Sequence, residues 1–319
     1  MNHKILITGA AGFIGSHVAG HFLGKGFSVC GIDNFDDFYP RAIKERNLKS
    51  ILSHPDFSFT ESDITDKATL AKLPADIVSV IHLAAKAGVR PSIQNPEAYI
   101  KNNITGTWNI LEWMKQRKIS KMIFASSSSV YGNNPKTPFS ESDSVDHPIS
   151  PYAFTKKSCE LMNYTYHHLC NMDILNLRFF TVYGERQRPD LAIYKFIDAA
   201  LEDKPVTLFG DGSTARDYTY VKDIVSGVAS AFDYVQSGKN IYDIINLGNN
   251  KPVKLMELVD MIYEITGKKK NIIHLEKQPG DVEYTCADIS KAKKLLDYNP
   301  STSMKDGLVK FAEWYKGIK

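Results

Sequence analysis

Short apolar runs alternate with amphipathic stretches through the first half of the chain. Ile5 to Thr8, Phe27 to Ile32, Phe57 to Thr60, Val78 to Leu83, Met122 to Ala125 and Ile174 to Phe179 have the length and apolar content of buried strands. Between them, Ser16 to Leu23 and Thr105 to Lys118 carry apolar residues at helical spacing. Strand and helix in alternation predict an α/β fold, a doubly wound parallel sheet of the Rossmann type with helices on both faces. After Tyr183 the strand signals weaken and Arg, Pro and Gly become frequent, which predicts a smaller α/β C-terminal lobe for substrate. Ile241 to Leu247 reads as one more strand returning to the first sheet. The division is therefore discontinuous, residues 1–180 plus about 219–250 in one domain and about 181–218 plus 251–319 in the other.

A length of 319 residues suits two lobes sharing a cleft, and 43% hydrophobic with 24% charged residues excludes disordered and fibrous classes. A net charge of +3 gives no argument for nucleic acid or a membrane surface as partner. Cys30, Cys159, Cys170 and Cys286 are scattered without CxxC spacing or a His cluster, so no metal site is expected. No stretch reaches membrane-spanning length and Ile5-Leu6-Ile7 is too brief for a signal-peptide core. The expected location is cytoplasmic.

The first strand runs into Thr8-Gly9-Ala10-Ala11-Gly12-Phe13-Ile14-Gly15 and then directly into a helix. Glycines there let the backbone turn tightly and approach a pyrophosphate, whose charge is favoured by free amides at a helix start. A glycine-rich turn alone is weak evidence, but Asp33 stands at the end of the second strand, where a dinucleotide site places its ribose acceptor. A carboxylate there accepts from both ribose hydroxyls and repels a 2'-phosphate, so the cofactor expected is NAD and not NADP. Asp63 and Ile64, after the third strand, are placed for the adenine. Leu83, Ala84 and Ala85 lie beneath the dinucleotide's path.

Tyr152 and Lys156 stand four residues apart, on one helix face. A nearby ammonium lowers a phenol's pKa from about 10, and a phenolate takes a proton from a sugar hydroxyl as hydride leaves. Tyr152 is thus the expected base, with Lys156 lowering its pKa and also binding the nicotinamide ribose. Ser126 to Ser129 follow a strand and face the same cleft, where four consecutive hydroxyls need solvent or a polar ligand. Ser127 is expected to orient or relay the proton.

These residues, together with HLAAKAGVR (82–90), NNITGTWNIL (102–111), RFFTVYGERQRPD (178–190), LFGDG (208–212), RDYTYVKD (216–223) and QPGDVEYTCADISKA (278–292), resemble the extended short-chain dehydrogenase/reductase family over essentially the whole chain. Within it the likeness is to NAD-dependent UDP-sugar 4-epimerases. The resemblance implies Ser127, Tyr152 and Lys156 as the catalytic trio, and Gly9, Gly12, Phe13, Ile14, Gly15, Asp33, Asn34, Asp63, Ile64 and Asn103 around NAD, with Ser126 and Phe179 joining them. It also implies Thr207 and Phe209 near the uracil, Arg216 on a phosphate and Asp281 on the nucleotide side. A homodimer is implied through Thr105 to Lys118 and Tyr152 to Cys170, with Trp108, Leu111, Leu161 and Tyr164 lining the seam or belonging to the core.

Asp33 to Tyr39, Gly88-Val89-Arg90, Thr181 and Gln278 to Asp281 look like UDP-glucuronate 4-epimerases in particular. Thr181 stands where galactose-type epimerases have Asn, and Gln278 where they have a phosphate-binding Arg. Donors for a glucuronate carboxylate are Thr181, Arg188, Arg90, Ser127, Ser128 and Ser129. The alternatives are UDP-glucuronate decarboxylase, a UDP-hexose or UDP-N-acetylhexosamine 4-epimerase, and an NAD-binding regulatory protein without turnover. Related dehydratases carry an acidic pair where Ser128 and Ser129 stand, so dehydration is disfavoured.

Overall fold

The computed structural model describes residues 4–276 and 282–319, so Gln278 to Asp281 lie outside the described residues. The strands are Lys4–Thr8 (β1), Ser28–Asp33 (β2), Phe57–Glu61 (β3), Ile77–His82 (β4), Lys121–Ser127 (β5), Asp173–Phe179 (β6), Thr181–Tyr183 (β7), Val206–Phe209 (β8), Ala215–Tyr220 (β9), Tyr242–Leu247 (β10), Pro252–Lys254 (β11) and Ile272–Leu275 (β12). Seven of them form a parallel sheet ordered β10-β6-β5-β4-β1-β2-β3. The winding reverses between β1 and β4, and that switch point is where an open α/β sheet leaves a crevice at its carboxyl edge. The late strand expected at Ile241 to Leu247 joins this sheet as β10 beside β6.

The first half supplies helices Phe13–Gly24 (α1), Arg41–Leu48 (α2), Lys67–Ala71 (α3), Val89–Gln94 (α4), Pro96–Tyr99 (α5), Gly106–Arg117 (α6) and Pro151–Cys170 (α7). Ala192–Leu201 (α8), Val221–Ser237 (α9), Leu255–Thr266 (α10), Ser290–Leu296 (α11) and Met304–Ile318 (α12) follow. Alternation along β1 divides the core: Ile5 and Ile7 belong to one buried cluster with Val18 and Phe22 of α1 and Val228 of α9, whereas Leu6 belongs to the other with Ile110 and Leu111 of α6 and Cys159 of α7. Outside this sheet lie a three-stranded sheet, β11-β9-β7, and the parallel pair β12-β8. Asp217 on β9 accepts from the amides of Asn249, Asn250 and Ala287, tying β9 to the segments after β10 and before α11.

Several sequence expectations shift, among them these. Phe27 falls outside β2: its amide donates back to Phe22 O at 3.1 Å instead of to a neighbouring strand, and its ring packs edge-on against Phe22 and Phe232, both at 5.5 Å. The helix expected from Thr105 starts at Gly106, behind a π-helical turn Ile100–Thr105 that no periodicity announces. Leu111, a candidate for a subunit seam, is wholly buried core, while Trp108, Leu161 and Tyr164 are exposed.

Candidate active site

A cavity of about 370 Å³ opens along the carboxyl edge of the sheet. Its floor at one end is the turn from β1 into α1. Gly9 has φ +71°, and a Cβ on Gly15 would lie 2.0 Å from the Gly9 carbonyl oxygen, so the turn closes only with glycine at these places. Gly12, Phe13 and Ile14 complete it, and Leu83, Ala84 and Ala85 line the cavity opposite. Asp33 ends β2 with its carboxylate accepting from the amides of Ala11 (3.2 Å) and Phe35 (2.9 Å). Burial raises its pKa against the pull of Lys44, whose Nζ is 3.9 Å away.

Asn34 and Ile64 line the same end. Asp63 does not; it receives the Asn34 amide at 2.9 Å. Burial works to raise the Asp63 pKa, but hydrogen bonds from Thr65 and Asn34 outweigh it and leave it lowered. Asn103 is also set back, its amide spent on both backbone groups of Lys86 and on Thr155 Oγ1. Here it ties the strand-β4 loop to α7.

Beneath the turn, Thr8 Oγ1 accepts from the amides of Leu83 and Ala84, so its own proton goes to His82 Nδ1 at 2.6 Å. His82 is then the Nε2–H tautomer, donating to Thr107 Oγ1 at 3.0 Å. Burial pushes this imidazole down from 6.5 to about 3, with Lys156 adding to the effect. Between 6.5 and about 3 the unfolded chain binds a proton that the folded chain refuses, so stability falls as pH drops through that window. The contribution of this one residue approaches about 1.4 kcal/mol per pH unit. Denaturant unfolding across that window is expected to give a shallower pH slope for His82→Gln than for the natural chain; equal slopes would refute the assignment.

At the other end of the cavity α7 begins. Ser150 caps it by accepting from Ala153 N (3.1 Å) and Pro151 occupies the first turn, which starts the helix at the place that brings Tyr152 and Lys156 over the end of β5. Tyr152, Lys156, Ser126, Ser127, Phe179, Thr181 and Arg188 all line the cavity here. Tyr152 packs edge-on against Tyr99, ring centroids 6.2 Å apart, and Tyr99 is anchored through its hydroxyl on Ala87 O. Arg188 is paired with Asp190 at 2.9 Å and lies over the Phe38 ring.

The electrostatics differ from the sequence expectation at one point. Burial raises the Tyr152 pKa, opposed by the Ser127 hydroxyl and the Arg188 guanidinium. Lys156 is not what opposes it: its Nζ donates to Ala125 O at 2.7 Å and lies over the Phe124 ring. Burial lowers this ammonium to about 8. The phenol's activation is thus not supplied by the Tyr-Lys pair alone, because both groups are desolvated together.

Ser128 and Ser129, expected to face the cleft, do not line the cavity; they form a 3-10 turn after β5, with Ser127 Oγ 3.2 Å from Ser129 Oγ. Thr207, Phe209, Arg90 and Arg216 do not line the cavity. Arg90 stacks over Phe209 at 5.0 Å, which brings the α4 segment to β8, and Arg216 Nη1 donates to the carbonyls of Ala215 and Glu283. Sequence reading missed Lys44, Asp36 and Lys86. Lys44 is nearly buried and donates to Asp36 O, and Asp36 pairs with Lys86 at 2.7 Å across the cavity wall. Nothing in the polar string around Lys44 marks it as buried.

A family model described as GDP-mannose 4,6 dehydratase matches residues 6–311. The chain belongs to that family. Among curated members, the UDP-glucuronate 4-epimerase of Thermodesulfobacterium geofontis is 44% identical, with 98% of this chain and 95% of the relative covered. UDP-glucuronate 4-epimerase 3 of Arabidopsis thaliana is 41% identical, covering 98% of this chain and 76% of the relative. The crystal structure of UDP-glucuronic acid 4-epimerase from Bacillus cereus with UDP-glucuronic acid and NAD superposes with a TM-score of 0.94 at 40% identity, covering 99% of this chain and 100% of that one. The GDP-mannose 4,6-dehydratase family therefore extends, on this chain's side, to members named for 4-epimerisation.

Proposed function

We propose that this chain is an NAD-dependent UDP-sugar 4-epimerase whose substrate is UDP-glucuronate and whose product is UDP-galacturonate. The observation that carries the reading is one continuous cavity with the Gly9–Gly15 turn and Asp33 at one end and Ser127, Tyr152, Lys156, Thr181 and Arg188 at the other. That arrangement fits a dinucleotide beside a sugar, and the named relatives supply the sugar's identity.

The glycine turn, which a Cβ on Gly15 would fill, fits the pyrophosphate, and Asp33 fits the ribose hydroxyls. NAD, when bound there, supplies a hydride acceptor and donor and a positive charge near the phenol. Tyr152 takes the proton of the sugar's C4 hydroxyl and returns it after the ketone has turned over in the cleft. Ser127, on the neighbouring strand end, orients that proton, and Lys156 holds the ribose. The 4-ketone of a glucuronate is a β-keto acid and loses carbon dioxide when its carboxylate bond aligns with the carbonyl π system. Donors from Thr181, the serine run and Arg188 hold the carboxylate away from that alignment. Arg188 must exchange Asp190 for the substrate to do so. The domain bearing the turn and β10 is the NAD-binding part, and β7 to β9 with the C-terminal elements form the UDP-sugar lobe.

Incubation with UDP-glucuronate followed by NMR tests the reading. UDP-galacturonate supports it, UDP-xylose replaces it by decarboxylation, and no turnover of any sugar nucleotide replaces it by a binding role. Replacing Asp33 by Asn is expected to weaken NAD about tenfold, the scale of one charge-assisted hydrogen bond, and to narrow the gap between NAD and NADP affinity. Calorimetric titration of both dinucleotides checks this; an undiminished preference for NAD contradicts the role.

The homodimer belongs to the same proposal. Trp108 on α6 and Phe154, Leu161 and Tyr164 on α7 are large apolar residues left exposed on neighbouring helices, a face that a second copy would cover. Light scattering giving a monomer mass would remove this part. Cytoplasmic residence is supported by four free cysteines, and among the described residues no helix is long and apolar enough to cross a membrane.

A further inference from the structure

Helix α7 packs on a sheet, and a helix in that place ordinarily buries an apolar stripe. The buried stripe here includes Lys156, Glu160 and Asn163, spaced four and three residues apart. Each is at most 4% exposed. Every one meets a directed partner on β5 or β6. Lys156 donates to Ala125 O, and Asn163 donates to Asn176 Oδ1 at 2.7 Å. Glu160 is held most fully: Ser126 Oγ donates to Oε1 at 2.6 Å, Arg178 Nε to Oε1 at 2.9 Å and Arg178 Nη2 to Oε2 at 2.8 Å. Ser126 and Arg178 are themselves cross-strand neighbours in the sheet register. Arg178 stacks over Tyr131, whose hydroxyl donates to Asn246.

Stability does not explain this ion pair. Glu160 and Arg178 side chains are each 1% exposed, and among the described residues Arg178 Nη1 has no hydrogen-bond partner within bonding geometry. Desolvating two charges this deeply commonly cancels their attraction, and apolar residues of similar volume hold such positions as well or better. What apolar contact lacks is direction. It is proportional to area and tolerates sliding or rotation, whereas a forked guanidinium-carboxylate pair has one geometry. A slip of a single residue moves a helix by about 1.5 Å and turns it by about 100°. A misplacement of about 1 Å at the reacting groups costs on the order of a hundredfold in rate. Tyr152 lies about two turns before Glu160 on the same helix, and Ser127 is the residue next to Ser126 on the strand.

We propose that Glu160, gripped by Arg178 and Ser126, is a positioning residue that indexes α7 on the sheet and so sets the placement of Tyr152 relative to Ser127. This rests on the epimerase reading for its rate measurement but not for its geometry. The test replaces the pair by apolar residues, Glu160→Leu with Arg178→Met, and compares kcat, KM, thermal midpoint and the 13Cζ resonance of Tyr152, assigned by its loss in Tyr152→Phe. The double variant is expected to melt within a few degrees of the natural chain, with kcat lowered about 10- to 100-fold, KM changed less than about threefold, and the Tyr152 resonance shifted. Arg178→Lys, which keeps the charge but not the fork, is expected to lose about tenfold in kcat and to shift the same resonance. A double variant with natural kcat and an unmoved Tyr152 resonance overturns the proposal. If the double variant does not fold, Arg178→Lys decides by the same two readouts. If the natural chain does not turn over UDP-glucuronate, the functional reading fails separately, and an unmoved resonance in the variants is then what overturns the indexing role.

Discussion

Tyr152→Phe is expected to lower kcat on UDP-glucuronate by about 10²- to 10⁴-fold, the usual yield of a positioned general acid-base group. The substitution removes one hydroxyl and leaves the ring, which keeps its edge-on contact with Tyr99. Folding and NAD binding are therefore expected to stay near the natural values, and KM to move little. Burial holds the phenol above its ordinary pKa, with Ser127 and Arg188 pulling it back. A base that must lose its proton first is favoured by rising pH, so activity in the natural chain is expected to rise with pH toward that phenol's titration. The residual activity of Tyr152→Phe is expected to lack this rise. Progress curves by NMR across a pH series measure both. Turnover within threefold of the natural chain would remove Tyr152 from the chemistry.

Gly15→Ala is the second large effect. Its Cβ would lie 2.0 Å from the Gly9 carbonyl oxygen, 2.8 Å from the Gly9 carbonyl carbon and 3.1 Å from Ala10 Cα, all backbone atoms. No rotamer relieves a backbone clash, so the turn itself must open. The amides that would face a pyrophosphate are carried by that turn, and NAD affinity is expected to fall at least about a hundredfold. The cofactor content of the purified protein and a calorimetric titration check this. Thermal unfolding is expected to separate the causes, since an Ala in α1 is otherwise favourable to helix and the main damage is local. NAD binding within threefold of the natural chain would show that the turn is not the pyrophosphate cradle.

The parts of the site legible from sequence are those whose chemistry is local. Gly9, Gly12 and Gly15 announce a turn because no other residue fits the backbone there, and Asp33 is placed by the length of one strand. Tyr152 and Lys156 share a helix face through helical spacing. Where sequence reasoning went wrong, it extended a pair interaction into three dimensions: Lys156 was expected to lower the Tyr152 phenol, but it points at Ala125 O and burial raises the phenol. For Leu111 the seam and the core were both open readings, and burial assigns it to the core while Trp108 on the same helix stays exposed.

By itself, the amino-acid order determined the alternation of strand and helix, the glycine turn, the acidic end of β2 and the hydroxyl, phenol and ammonium that the proposed mechanism uses. Each depends on backbone sterics or on spacing within one element, interactions that reach only a few residues. Tertiary structure alone decided that Glu160 meets Arg178, that Asp36 meets Lys86, that Asn103 is spent on Lys86 and Thr155, and that Arg90 crosses to Phe209. Those pairings join charges and rings from separate elements, and their energies depend on distance and burial, which exist only once the sheet has brought the elements together.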